Sequence, residues 1–149
     1  MKNKKTSVRT YQKNLDESSP QEFIVNDYES MYLTARQGIG ARSFEDILKK
    51  MPFSISEIAT LLHISTKTIT RRLQNNISFT TPESERILQL YQVVLRGEDV
   101  FEGQPNFRSW LDRENIALGG QKPFDLLENH FGVQLILDEL GRIEHGIFA

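Results

Sequence analysis

A chain of 149 residues, 38% of them hydrophobic, is long enough for one ordinary domain or two very small helical ones and can bury a real core. It contains no cysteine, which excludes disulfides and thiolate metal sites, and no apolar run approaches the roughly 20 residues needed to cross a bilayer. The polar, lysine-bearing start lacks the apolar core of a signal peptide, so a soluble cytoplasmic protein is expected.

The net charge of -2 is low for a nucleic-acid binder, but it is unevenly spread. Residues 1 to 97 hold 14 Lys and Arg against 10 Asp and Glu, and residues 98 to 149 hold 4 against 10, so the halves carry +4 and -6. Lys2, Lys4, Lys5, Arg9 and Lys13 supply +5 of the first figure, which leaves residues 14 to 97 at -1. Residues 1 to 22 are rich in Lys, Asn, Gln and Ser and end in Ser18-Ser19-Pro20, the composition of a disordered basic arm. Such an arm is either a solvated tail or a nonspecific clamp on DNA phosphates.

From Asn26 the pattern turns helical, with Tyr28, Met31, Tyr32 and Ala35 on one stripe and Gly38 and Gly40 ending it. A second helix follows, with Ser43 placed to cap it, Phe44, Ile47, Leu48 and Met51 as its apolar face, and Pro52 as its stop. Gly38-Ile39-Gly40-Ala41-Arg42-Ser43 is not a dinucleotide fingerprint, because no strand precedes it and the third glycine is missing.

Ser54 to Leu73 reads as a helix-turn-helix. Ala59 sits where two helices approach closely, Ile58, Leu62, Ile64, Ile69 and Leu73 supply a shared core, and Ser65 is placed to cap the second helix. His63 occupies a turn position where glycine is common. The outer face carries Thr66, Lys67, Thr70, Arg71 and Gln74 at helical spacing, hydroxyls and cations that suit phosphates and base edges in the major groove. With Ser65, Thr68 and Arg72, the last expected to lean toward a phosphate, these are the candidate DNA contacts. A polar helix face is also what ordinary solvation produces, so these residues alone leave DNA contact open.

Thr81, as cap, and Pro82, in the first turn, open a further helix with Ile87, Leu88, Tyr91, Val94 and Leu95 as its stripe. Glu98 to Gly120 spaces Phe101, Phe107, Trp110, Leu111, Ile116 and Leu118 among Gly, Pro and Asn, which predicts short helices and loops with Trp110 as a core residue. Pro123 begins a short helix. From about Gly132 a last one buries Val133, Ile136, Leu137, Leu140 and Ile143 and ends at Gly146, leaving the apolar tip Ile147-Phe148-Ala149.

The C-terminal stretch carries more than periodicity. Pro123-Phe124-Asp125-Leu126-Leu127, Gly132 and Leu140-Gly141-Arg142-Ile143-Glu144-His145-Gly146, with Trp110-Leu111 and Leu118-Gly119-Gly120 upstream, resemble the toxin-binding domain of the Xre/MbcA/ParS antitoxins. The resemblance can be followed from about Met31 to Phe148, and Glu83-Ser84-Glu85-Arg86-Ile87 is similar to that family's junction between its two parts. After the disordered arm over residues 1–22, it implies an all-α protein with an Xre-like helix-turn-helix domain over 23–96 and a toxin-binding domain over 97–149. It further implies a homodimer that binds operator DNA and represses its own operon, and a cognate RES-domain or ParT-like toxin that consumes NAD or transfers ADP-ribose. By that carry-over Arg142, Glu144, His145, Ile147 and Phe148 face the toxin. NAD would belong to the toxin, and no cofactor is expected on this chain.

No catalytic constellation competes with that reading. His63, His130 and His145 are scattered, no His-Glu-x-x-His or phosphate-binding loop occurs, and the pairs Asp125 with Glu128 and Asp138 with Glu139 lack a neighbouring base or nucleophile, so the chain is not expected to be an enzyme or a metal binder. Two other readings stay open: a helix-turn-helix repressor whose C-terminal half only dimerises it, and a protein-binding module whose helix-turn-helix has lost DNA affinity.

Overall fold

The computed structural model describes residues 27–146, and these form eight α-helices and one 3-10 turn with no strand among them. In chain order the helices are α1 (Tyr28–Gln37), α2 (Ala41–Lys49), α3 (Ile55–Leu62), α4 (Thr66–Gln74), α5 (Thr81–Val100), α6 (Gln104–Leu111), α7 (Pro123–Leu126) and α8 (His130–Glu144), with the 3-10 turn at Ile116–Leu118. The all-α expectation holds. The N-terminal arm and the tip Ile147-Phe148-Ala149 lie outside the described residues.

The 20-residue α5 is the axis of the molecule. The expected stripe of Ile87, Leu88, Tyr91 and Val94 is buried, but so are Leu90 and Val93 on its other sides. An apolar arc this wide must be covered on several sides, leaving only the narrow face of Glu85, Gln89, Gln92, Arg96 and Asp99 toward solvent. Here α1 packs on one side, α8 on another, and α6 and α3 close the remainder. Each Leu, Ile or Val taken out of water in this way contributes about 1.5–3 kcal/mol before entropy is counted. One continuous apolar cluster results, running from Ala35, Phe44, Ile58 and Ile69 through α5 to Phe107, Leu111, Val133, Ile136 and Leu140, and α5 passes through Gly97 without a break.

Three local expectations change. Tyr28 and Tyr32 do not join the core, at 75% and 60% exposed, whereas Ala35 of the same stripe is buried, Met31 packs against the core, and Ser30 is buried beside them. The cap of α2 is Gly40 and not Ser43, which lies inside the first turn, and α2 starts with no side-chain cap. Likewise Thr80, not Thr81, caps α5: its hydroxyl accepts the Glu83 amide while the Glu83 carboxylate accepts the Thr80 amide at 2.8 Å, a reciprocal pair worth about 0.5–2 kcal/mol.

The loops are tied rather than loose. Phe79, fully packed against Phe44, donates its amide to the Ile39 carbonyl at 2.8 Å, and the buried Ser84 hydroxyl accepts the Ile39 amide at 2.8 Å. Both backbone amides of that crossing are thereby paired. Farther on, Gly119 and Gly120 both adopt positive φ, 72° and 77°, which lets the chain reverse so that Asn115 bonds to Gln121 at 3.0 Å and Gly120 to Asn115 at 2.9 Å. That reversal is why the leucine-glycine-glycine loop needs its glycines.

Candidate functional site

The first surface is built on α3, its turn and α4. Ser54 opens α3 with a full capping box, its hydroxyl accepting the Glu57 amide at 3.1 Å and the Glu57 carboxylate accepting the Ser54 amide at 2.9 Å. Ile58, Ala59, Leu61, Leu62 and Ile69 are buried and Ile64 and Leu73 partly so, which is the shared core the sequence pattern called for, with Leu61 added. His63 ends α3 in the left-handed region at φ 57°. A glycine would adopt that conformation more easily, but only a side chain can do what His63 does: its Nε2–H donates to the Glu128 carbonyl at 2.9 Å.

Ser65 caps α4 as expected, accepting the Thr68 amide at 3.0 Å, and its hydroxyl also pairs with that of Thr68 at 2.9 Å. These two residues therefore shape the helix start more than they offer free groups. Thr66, Lys67, Thr70, Arg71 and Gln74 are all exposed and, at 100° per residue, span one arc of about 140°. The structure gathers these five on one face.

Arg72 departs from its expected place. It turns inward, paired with Glu83 and with its guanidinium 5.1 Å from the centre of the Phe79 ring. Burial alone would raise the Glu83 pKa, but the Thr80 amide and Arg72 hold it below the usual carboxylate range. Arg72 thus fastens the end of α4 to the start of α5 and is not part of the outer face.

The second surface lies on α8. Asn129 caps it, accepting the Gly132 amide at 3.0 Å, so it begins two residues before the Gly132 start read from sequence. Gly132 is required by contact: a Cβ there would stand 1.8 Å from the Leu126 carbonyl oxygen, against backbone that cannot yield. Val133, Ile136 and Leu140 are fully buried against α5. Trp110 packs between Phe101 and Phe107, at 5.3 and 6.1 Å between ring centres, which is the core role expected of it.

The described C-terminal site residues differ in their freedom. Arg142 is 44% exposed, with Nε 2.8 Å from the carboxylate of the nearly buried Glu139, so it neutralises an internal charge while facing solvent. Glu144 is engaged by Arg96 of α5 and is not a free carboxylate. His145 is well exposed. Arg142 and His145 share the outer face of α8, whereas Glu144 turns toward α5. Ile147 and Phe148 lie outside the described residues.

Three arginines hold the two surfaces together, a part that sequence reasoning gave to none of them. Arg108 of α6 donates to both oxygens of Glu57, at 3.0 and 2.8 Å, to Asp112 at 2.8 Å and to the Pro52 carbonyl at 3.0 Å, with the Phe124 and Phe53 rings 5.0 and 5.7 Å away. Its hydrogen bond with Glu57 raises the Arg108 pKa and holds the Glu57 carboxyl below its ordinary value. Arg86 donates to the Leu61 carbonyl at 3.0 Å and to that of Leu127, joining the helix-turn-helix to the loop before α8, and burial lowers its pKa. Arg96 pins the end of α8. Nothing in the sequence separates Arg96 and Arg108 from surface arginines, and Arg86 stood out only as one residue of the junction motif.

Among the described residues no group of three or more His, Asp or Glu side chains is arranged to hold a metal ion, and no helix is long and apolar enough to cross a membrane.

Residues 30–90 match the family described as "Antitoxin Xre-like helix-turn-helix domain", and residues 96–146 match "Antitoxin Xre/MbcA/ParS C-terminal toxin-binding domain". The chain belongs to this antitoxin family. It is 34% identical over 95 residues to a protein named Antitoxin Xre from Yersinia enterocolitica serotype O:8 / biotype 1B, covering 63% of this chain and 64% of that one. The match therefore spans just under two thirds of the Yersinia protein. It is 28% identical over 123 residues to a protein named Prs ADP-ribosylating antitoxin from Sphingobium sp. strain YBL2, and 28% over 114 residues to an Antitoxin Xre of Photorhabdus laumondii, covering 76% of this chain and 77% of the relative in both cases. The Xre/MbcA/ParS family is one of antitoxins and not of enzymes, in agreement with the sequence-based expectation that the chain is not a catalyst.

Proposed function

We propose that this chain neutralises a RES-domain or ParT-like toxin, one that consumes NAD or transfers ADP-ribose, by binding it directly through residues 97–149. In the same reading residues 23–96 bind operator DNA as a homodimer and repress the operon, with Thr66, Lys67, Thr70, Arg71 and Gln74 meeting the DNA. The observation that carries the first part is the order of the two matched domains, the second of them described as toxin-binding. The Sphingobium relative carries ADP-ribosylation in its name, which supports a partner of that chemistry. NAD is then the toxin's ligand. This chain contributes a surface, not a cofactor site.

DNA contact rests on charge and geometry: the α4 face exposes two cations and neutral polar groups with no large apolar side chain among them, as a polyanion requires.

The test expresses the toxin of the same operon alone, with the full chain, and with the chain lacking residues 142–149, and follows growth and cellular NAD. Toxicity relieved by the full chain and not by the truncated one is expected, with operator binding retained by both. Full protection by the truncated chain would remove the tail from the mechanism. Protection by neither would leave the repressor reading, in which the C-terminal half only dimerises the protein.

A further inference from the structure

Among the described residues, the outer face of α8 leaves two large apolar side chains in solvent. Val133, Ile136 and Leu140 point to α5, so at 100° per residue Phe131, Leu135, Asp138 and Arg142 fall together on the opposite side. Phe131 is 79% exposed and Leu135 51%, an aromatic and a leucine one turn apart and uncovered among the described residues. A third large apolar side chain, Ile116, is 95% exposed in the 3-10 turn that packs against α8. These three are the exposed large hydrophobic residues of the matched segment 96–146, and all stand on or beside one helix. Scattered surface leucines need no explanation, but an aromatic-leucine pair on one face beside a third such residue marks an interaction surface.

Gly141 is an independent observation on the rim of the same face. It lies inside α8, where glycine weakens a helix relative to alanine, and a Cβ built on it meets nothing within 4 Å. Gly132 on the same helix shows the contrast, since its missing side chain is demanded by Leu126. The fold gives no reason for Gly141. A partner whose backbone approaches α8 closely does.

Charge selects the kind of partner. The segment 98–149 carries -6, and Asp138 sits within the face, so a second copy of this chain would bring acidic surface against acidic surface. We infer that the outer face of α8 is the toxin-docking surface, with Phe131 and Leu135 as anchors and Gly141 as the point of closest approach, and that it fits an apolar depression bordered by Lys or Arg on the toxin. The inference rests on the antitoxin reading and deepens it. It places the contact along the helix and not in the C-terminal tip alone.

The test uses the protein encoded beside this chain in its operon, purified alone and titrated onto the immobilised full chain. Phe131→Glu with Leu135→Glu is expected to weaken binding by about 100-fold or more, with helical content and thermal midpoint kept because both side chains are largely in solvent. Tyr28→Ser, an equally exposed aromatic outside the face, is expected to bind as the wild type does. Gly141→Ala is expected to raise the thermal midpoint of the free chain by about 2–5 °C while weakening toxin binding about tenfold, a pair of opposite signs that a purely structural glycine does not give. Wild-type binding retained by both the double variant and Gly141→Ala overturns the surface and leaves the antitoxin reading in place. No binding by the wild-type chain removes both.

Discussion

The outer faces of α4 and α8 are both solvent-exposed helix surfaces in one compact chain, yet their chemistry is opposite. On α4 the exposed arc is Thr66, Lys67, Thr70, Arg71 and Gln74, with neither a large apolar side chain nor an acid in it. On α8 it is Phe131 and Leu135 with Asp138 and an arginine already paired to Glu139. Attraction between a cationic face and a polyanion acts at a distance and fades with salt; apolar burial acts only on contact and hardly responds to it. The difference teaches that helix geometry does not decide what a surface binds. The side chains left over after the core is filled decide it.

The same contrast orders the expected effects of change. The largest belongs to the support under α8: Gly132→Ala sets a methyl group against the Leu126 backbone and should cost about 3 kcal/mol or more, lowering the thermal midpoint and uncoupling α8 from α7 in hydrogen exchange. If the midpoint held, the close approach would not be what fixes α8. Next comes the joint between the two faces. Arg108→Met leaves Glu57 without its cation and takes the guanidinium away from the Phe53 and Phe124 rings, and should cost about 1–3 kcal/mol by denaturant titration, while changing no group on either outer face.

On the α4 face, Lys67→Ala with Arg71→Ala should lower operator affinity by about 1–3 kcal/mol and flatten the salt dependence of log K by about two, with toxin binding unchanged. An unaltered salt slope would take α4 out of the DNA interface. Ser65→Ala removes the cap of α4 and should destabilise by about 0.5–2 kcal/mol in thermal unfolding, a smaller loss because only the end of one helix is affected.

Acid should separate the regions most gently. Glu57 and Glu83 are held below their ordinary value of 4.5, so the stability they contribute is full above that pH and is lost as pH falls through their lower folded-state values. Glu98 is shifted upward by burial and works the other way, its contribution full below its ordinary value and lost as pH rises through its higher folded-state value. The first turns of α3 and α5 should therefore loosen first below pH 4.5, seen as faster amide exchange at Glu57 and Glu83 than at Val133 or Ile136.

Much of the α3–α4 surface was readable beforehand because its signals are local. A cap and the amide it serves lie three residues apart, as Ser65 and Thr68 do, and a core stripe repeats within one helix. The same locality misled where two nearby residues could serve one purpose: Thr80 and Thr81, or Gly40 and Ser43, differ only in where the chain leaves its extended conformation. Phe131 and Leu135 were also available to pattern reasoning, since they fall out of register with Val133, Ile136 and Leu140. A search for the buried stripe passes over what is left outside it.

By itself the sequence determined the helices, the turn between α3 and α4, the acidic C-terminal half and the family, because each depends on residues within a few turns of one another or on a motif copied whole. Tertiary structure alone decided which charges remain free. Arg72 finds Glu83 11 residues away, Arg96 finds Glu144 at 48 and Arg108 finds Glu57 at 51, distances over which no helical period carries information. An arginine is drawn into such a pair only when folding brings a carboxylate, a carbonyl or a ring to it, so the division between the arginines that brace the molecule and those left facing solvent is made by packing.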